Sequence, residues 1–77
     1  MRIKYKVVEE KLYNVDIGNY TAFGIQMLAV SGRREMILDT VSDVSLDRKK
    51  IEQFVLDLNK FKLSPIHLMD VIEDFIS

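Results

Sequence analysis

The sequence predicts an α+β fold of order β-β-β-α-α, a three-stranded antiparallel meander over residues 2–44 with a C-terminal helical hairpin packed on one face. Three observations carry this expectation. Apolar residues alternate with polar ones through the first part of the chain, and two Gly/Asn/Asp-rich or Gly-containing turns interrupt them. From Ser45 onward the apolar spacing changes to that of amphipathic helices. A Ser64-Pro65 pair then divides that region into helices over about 46–61 and 65–76.

In the first strand Ile3, Tyr5 and Val7 alternate with Lys4 and Lys6. The alternation changes phase at Val7-Val8, which predicts either a bulge there or a strand with two working faces. Asn14 to Asn19 is rich in residues that bond locally to the backbone and tolerate left-handed conformations, so it reads as a hairpin connection. Tyr20 to Val30 is the most apolar segment: Phe23, Ile25, Met27 and Ala29 share one parity, while Tyr20, Ala22, Leu28 and Val30 share the other. Such a strand belongs at the centre of a sheet. Gly24 within it marks a bulge or a close approach by another segment. Ser31-Gly32-Arg33 is a tight turn in which Gly32 supplies positive φ. Glu35 to Val44 forms the third strand, more polar in its later half and placed at an edge.

Ser45 is the expected N-cap of the first helix, with Asp47 in its first turn. Ile51, Phe54, Val55 and Leu58 form its core stripe, and Leu56 lies off that stripe, which hints at a second contact. Leu68, Met69, Ile72, Phe75 and Ile76 form the apolar arc of the second helix, opposite His67, Asp70, Glu73 and Asp74. Two short helices cover one face of a sheet, yet the middle strand is apolar on both. A partner chain is the simplest cover for the rest, with Tyr20, Leu28, Val30 and Leu56 as the expected contacts of a homodimer.

The composition excludes several functions. Seventy-seven residues make a single domain, and the chain has no cysteine for disulfides or thiolate metal sites. A net charge of -1 gives no basic field to attract nucleic acid. A helix-turn-helix reader is excluded further because the second helix carries Asp70, Glu73 and Asp74 and no Lys or Arg. No apolar run approaches the ~20 residues of a membrane span. The N-terminus has no continuous hydrophobic region, so a cytoplasmic location is the expectation.

Chemistry-bearing patterns are few. His67, Asp70 and Asp74 fall at i, i+3 and i+7, where an imidazole and two carboxylates share a helix face. With no second His and no Cys, a solvated acidic face accounts for them better than a metal or acid–base site. No metal, no cofactor and no catalytic residue is therefore expected, and the chain reads as a non-enzyme. Arg48, Lys49, Lys50, Lys60 and Lys62 are interleaved with acids and read as a solubilising surface. The glycines match no phosphate-binding loop.

Three stretches together resemble a family of short uncharacterised proteins from clostridia-type bacteria, grouped as a domain of unknown function. They are Lys4 to Asn14, Tyr20 with Phe23-Gly24-Ile25, and Leu63-Ser64-Pro65-Ile66-His67-Leu68 with Asp70-Val71-Ile72-Glu73-Asp74-Phe75. The likeness covers nearly the whole chain and implies a complete single domain, but it brings no activity, cofactor or site residue with it. The functional expectation is a small protein-interaction or regulatory module acting as a homodimer. The alternative is a binding module whose His67, Asp70, Glu73 and Asp74 dock a basic partner or a divalent metal.

Overall fold

A computed structural model describes residues 2–76. Its elements are β1 (Arg2–Asn14), β2 (Gly18–Ser31), β3 (Arg34–Ser45), α1 (Arg48–Lys60), a 3-10 turn (Pro65–His67) and α2 (Leu68–Ile76). The strands form one antiparallel sheet in the order β1-β2-β3, with α1 and α2 on it, which is the α+β arrangement the sequence predicts.

The two faces of the sheet differ in what they bury. Tyr5 from β1, Phe23 and Ile25 from β2 and Val44 from β3 pack with Ile51, Val55 and Leu58 of α1 and Leu68 and Ile72 of α2. These residues define the helix-facing side. Phe54 and Phe75 close the seam between the helices, stacked at 4.3 Å between ring centroids and 15° between planes. In α2 the core takes Val71 along with Phe75, whereas Met69 and Ile76 of the expected arc are exposed. The short 3-10 turn precedes α2, whose buried positions are Leu68 and Ile72.

β1 and β2 pair without interruption from Arg2↔Val30 to Asn14↔Gly18, so no bulge exists at Val7-Val8. The phase change there instead reflects a strand with two working faces, Ile3, Tyr5 and Val7 toward the helices and Val8, Glu10 and Leu12 away. Irregularity lies between β2 and β3. Phe23 pairs with Ser45 and Ile25 with Val41, so β3 spends Ser42, Asp43 and Val44 opposite Gly24. Leu38 is a second extra residue, between the Met27↔Asp39 and Leu28↔Ile37 pairs.

The first helix begins two residues later than Ser45. Asp47 is the N-cap, its carboxylate accepting from the Lys50 amide at 3.1 Å. Ser45 acts one step earlier, its hydroxyl accepting from the Asp47 amide at 3.0 Å. At the other end Lys62 adopts φ 51, and the Leu63 amide reaches back to the Leu58 carbonyl at 3.1 Å. This is a Schellman ending in which a lysine stands where glycine is favoured. Ser64 makes no side-chain cap, but Pro65 occupies the first position of the 3-10 turn.

The joint between helices and sheet is a side-chain clamp. Asn59 on α1 accepts from the Tyr5 amide through Oδ1 at 2.8 Å and donates through Nδ2 to the Tyr5 carbonyl at 2.8 Å. Its carboxamide thus takes the place of a neighbouring strand for one residue of the β1 edge. The Tyr5 hydroxyl donates to the Leu63 carbonyl at 2.9 Å, tying the same residue to the end of the helix.

Asn59→Ala removes both clamp bonds and leaves two part-buried peptide groups without protein partners. The expected loss is about 2 kcal/mol, a fall in Tm of about 10 °C for a domain of this size, measured by thermal and urea unfolding. Asn59→Asp keeps the acceptor but sets a carboxylate oxygen against the Tyr5 carbonyl, so it is expected to recover none of that loss. A second expectation concerns pH. Burial pushes the Tyr5 phenol above its ordinary value. The neutral form is favoured in the folded state, so its contribution is complete below about pH 10 and lost as pH rises through the folded value. Urea unfolding from pH 8 to 11.5 should show stability falling above about pH 10, with a shallower fall in Tyr5→Phe.

Candidate functional site

The exposed apolar surface does not lie where the middle strand alone suggests. On the side away from the helices, Ala22 and Leu28 of β2 are buried within the single chain, Leu28 at 3% exposure. Lys4 and Ile37 flank Leu28 in register, and Glu10 pairs with Ala22. Leu28 is therefore already used by the chain's own packing, while Tyr20 and Val30 are half-buried and Leu56 is 62% exposed.

A polar knot closes this face near Gly24. The Glu10 carboxylate, carried on β1, accepts from the Ser42 hydroxyl and from the Asp43 amide at 2.9 Å on β3, reaching across the width of β2. Gly24 makes that reach possible. A Cβ there would meet the Val41 carbonyl oxygen at 2.5 Å and Glu10 Oε1 at 2.8 Å. Tyr20 joins the knot by donating to Asp43 Oδ2 at 2.9 Å, and this bond, ahead of desolvation and nearby carboxylates, raises its phenol pKa. Asp43 itself has φ 55. The knot fixes the bulge that turns Val44 into the core. Sequence reading marks Gly24 for close approach but gives no sign of Glu10, because its partners lie 32 and 33 residues away.

Exposed apolar side chains also occur at the β1–β2 turn and around the helices, but β3 carries three in a row within a strand. Every residue from Ser31 to Thr40 is exposed, and within it Met36, Ile37 and Leu38 stand at 64%, 57% and 45%. β3 has β2 on one side only, so its other edge carries open peptide groups beside these side chains. Arg33, Arg34 and Glu35, the last paired with Lys4 at 3.8 Å, flank the apolar run at one end and Asp39 and Asp43 at the other. Among the described residues Arg33 and Arg34 form no ion pair.

The acidic end of the chain is arranged differently from the expected histidine–carboxylate face. His67 belongs to the 3-10 turn, and Asp70, Glu73 and Asp74 follow on α2, all exposed. No group of three His, Cys, Asp or Glu side chains comes together as a metal site among the described residues. A concavity of about 550 Å³ lies elsewhere, between Arg2-Ile3-Lys4 of β1 and Lys62-Leu63-Ser64-Pro65 after α1. No helix among the described residues is long and apolar enough to cross a membrane.

Gly24→Ala is expected to destabilise by about 1–3 kcal/mol in urea unfolding, the usual range for overpacking. Adding Glu10→Ala does not restore stability, because the Val41 carbonyl still stands where the new methyl goes and the Asp43 amide loses its acceptor.

No curated protein and no solved structure matches the chain. A family model does, over residues 1–77, and on that match the chain belongs to a family of unknown function, DUF6514.

Proposed function

We propose that this protein is a non-catalytic interaction module of the bacterial cytoplasm that works as a homodimer, joining the outer edge of β3 to the same edge of a second copy. The observation behind the reading is the consecutive exposure of Met36, Ile37 and Leu38 on an unpaired strand edge. Soluble proteins ordinarily blunt such edges with inward charges, prolines or covering loops. Here the centre of the edge is apolar and the charges are displaced to its ends.

A second copy suits this edge better than an unrelated strand because the charge pattern complements itself. An antiparallel neighbour brings the Arg33-Arg34 end of one strand beside the Asp39 to Asp43 end of the other. The result is a six-stranded sheet with both helical pairs retained, related by a two-fold axis through the β3 segments. Buried Leu28 takes no part in this interface, and Leu56 lies on the helical side away from it.

Sedimentation and light scattering test the reading. The expected result is a species of twice the 9.0 kDa chain mass at micromolar concentration, converting to monomer in Ile37→Lys with the circular dichroism spectrum unchanged. A wild-type chain that stays monomeric at hundreds of micromolar rejects the dimer. A dimer indifferent to Ile37→Lys rejects the β3 edge as its seam.

A further inference from the structure

The opposite edge of the sheet carries a different opportunity. Both peptide groups of Tyr5 point away from β2, since Asn59 holds them from outside. In an antiparallel strand the peptide groups of residues two apart point to the same side, so those of Ile3 face outward as well. Among the described residues no hydrogen-bond partner meets them, and Ile3 lines the concavity of about 550 Å³ together with Arg2, Lys4, Lys62, Leu63 and Pro65.

Three features say what fits there. The hollow sits on a strand edge, so its natural complement is an extended backbone. Its apolar surface comes from Ile3, Leu63 and Pro65, which suits a side chain projecting from such a backbone. Its charged lining is cationic without an acid: Lys4 leans to Glu35 at 3.8 Å, but Arg2 and Lys62 have no ion-pair partner among the described residues. Lys62 also holds a left-handed backbone, a conformation that costs a lysine about 1 kcal/mol relative to glycine. That position places Lys62 on the rim of the concavity, with Ile3 of β1 across it.

We infer that this hollow is a docking site for an extended acidic peptide segment of another protein, which adds as a short strand beside Ile3 and sets its carboxylates against Arg2 and Lys62. Asn59 marks one end of the site, since beyond it the β1 edge is already occupied at Tyr5. The site is distinct from the β3 edge and does not depend on dimerisation.

Fluorescence anisotropy of a labelled Glu-Val-Glu-Val-Glu-Val peptide against the full chain tests the assignment. Saturable binding is expected, weakened at least tenfold in Lys62→Glu and weakened by raising salt. Ile37→Lys should leave the affinity unchanged, which separates this edge from that of β3. The same peptide with alternate amides N-methylated should lose binding at least tenfold, because strand addition needs those donors. No saturation up to millimolar chain, equal binding of Lys62→Glu, loss of binding in Ile37→Lys, or equal binding of the methylated peptide each overturns the proposal. Competition by free glutamate at concentrations that match the peptide also overturns it, in favour of a small-anion site.

Discussion

The structure depends on one polar contact, the carboxamide of Asn59 closing on both peptide groups of Tyr5. Burial of Tyr5, Ile25, Ile51 and Ile72 supplies the larger share of stabilisation, yet burial is non-directional and would tolerate α1 sliding along the sheet. Two hydrogen bonds to a single residue of the backbone do not. They set where along β1 the helix lies, and the Tyr5 hydroxyl on the Leu63 carbonyl sets where the helix ends. At the start of α1 the Arg48 guanidinium lies 2.6 Å from Glu9 Oε1 and over the Phe23 ring at 5.0 Å. That pair is exposed, so it adds orientation more than energy.

A second polar device does for the sheet what Asn59 does for the helix. β3 must bend to deliver Val44 into the core, and the bend leaves the Asp43 amide without a ladder partner. Glu10 supplies one, from two strands away, across the gap that Gly24 leaves. Side-chain length and a missing Cβ are therefore coupled: a longer residue at 24 closes the path, and a shorter one at 10 does not reach. The knot lies beside Ala22 on the face of β2 turned from the helices, and Leu28 further along that face is flanked by Lys4 and Ile37; both are buried without a second layer.

This explains which parts of the chain were legible from sequence. Periodicity is a local property, so three strands, two helices, the stripe Ile51-Phe54-Val55-Leu58 and the turns at Gly18 and Gly32 could be read from neighbours. The N-cap was misplaced by two residues because Ser45 and Asp47 both have capping side chains, and only the backbone decides between them. The clamp and the knot were invisible for a different reason: Asn59 and Glu10 are ordinary surface residues in their own windows, and their roles come from partners 54 and 32–33 positions away. The expectation of an uncovered middle strand failed similarly, since alternation shows that Leu28 is apolar but not that neighbouring strands enclose it.

The two edges of the sheet stay open along most of its length. Strands of 12 to 14 residues make a ribbon, and the molecule is 43 Å in its longest dimension, whereas the 13 residues of α1 span about 20 Å. The helical pair covers one face over part of that length and reaches only one residue of the β1 edge with a backbone-like partner. A three-stranded sheet has two edges, and this chain leaves them chemically unlike. On β3 the centre is apolar and the charges self-complementary; on β1 the open stretch beside Ile3 is bordered by cations. Unlike edges suit unlike partners, which is why we propose a second copy for the first and an acidic strand for the second.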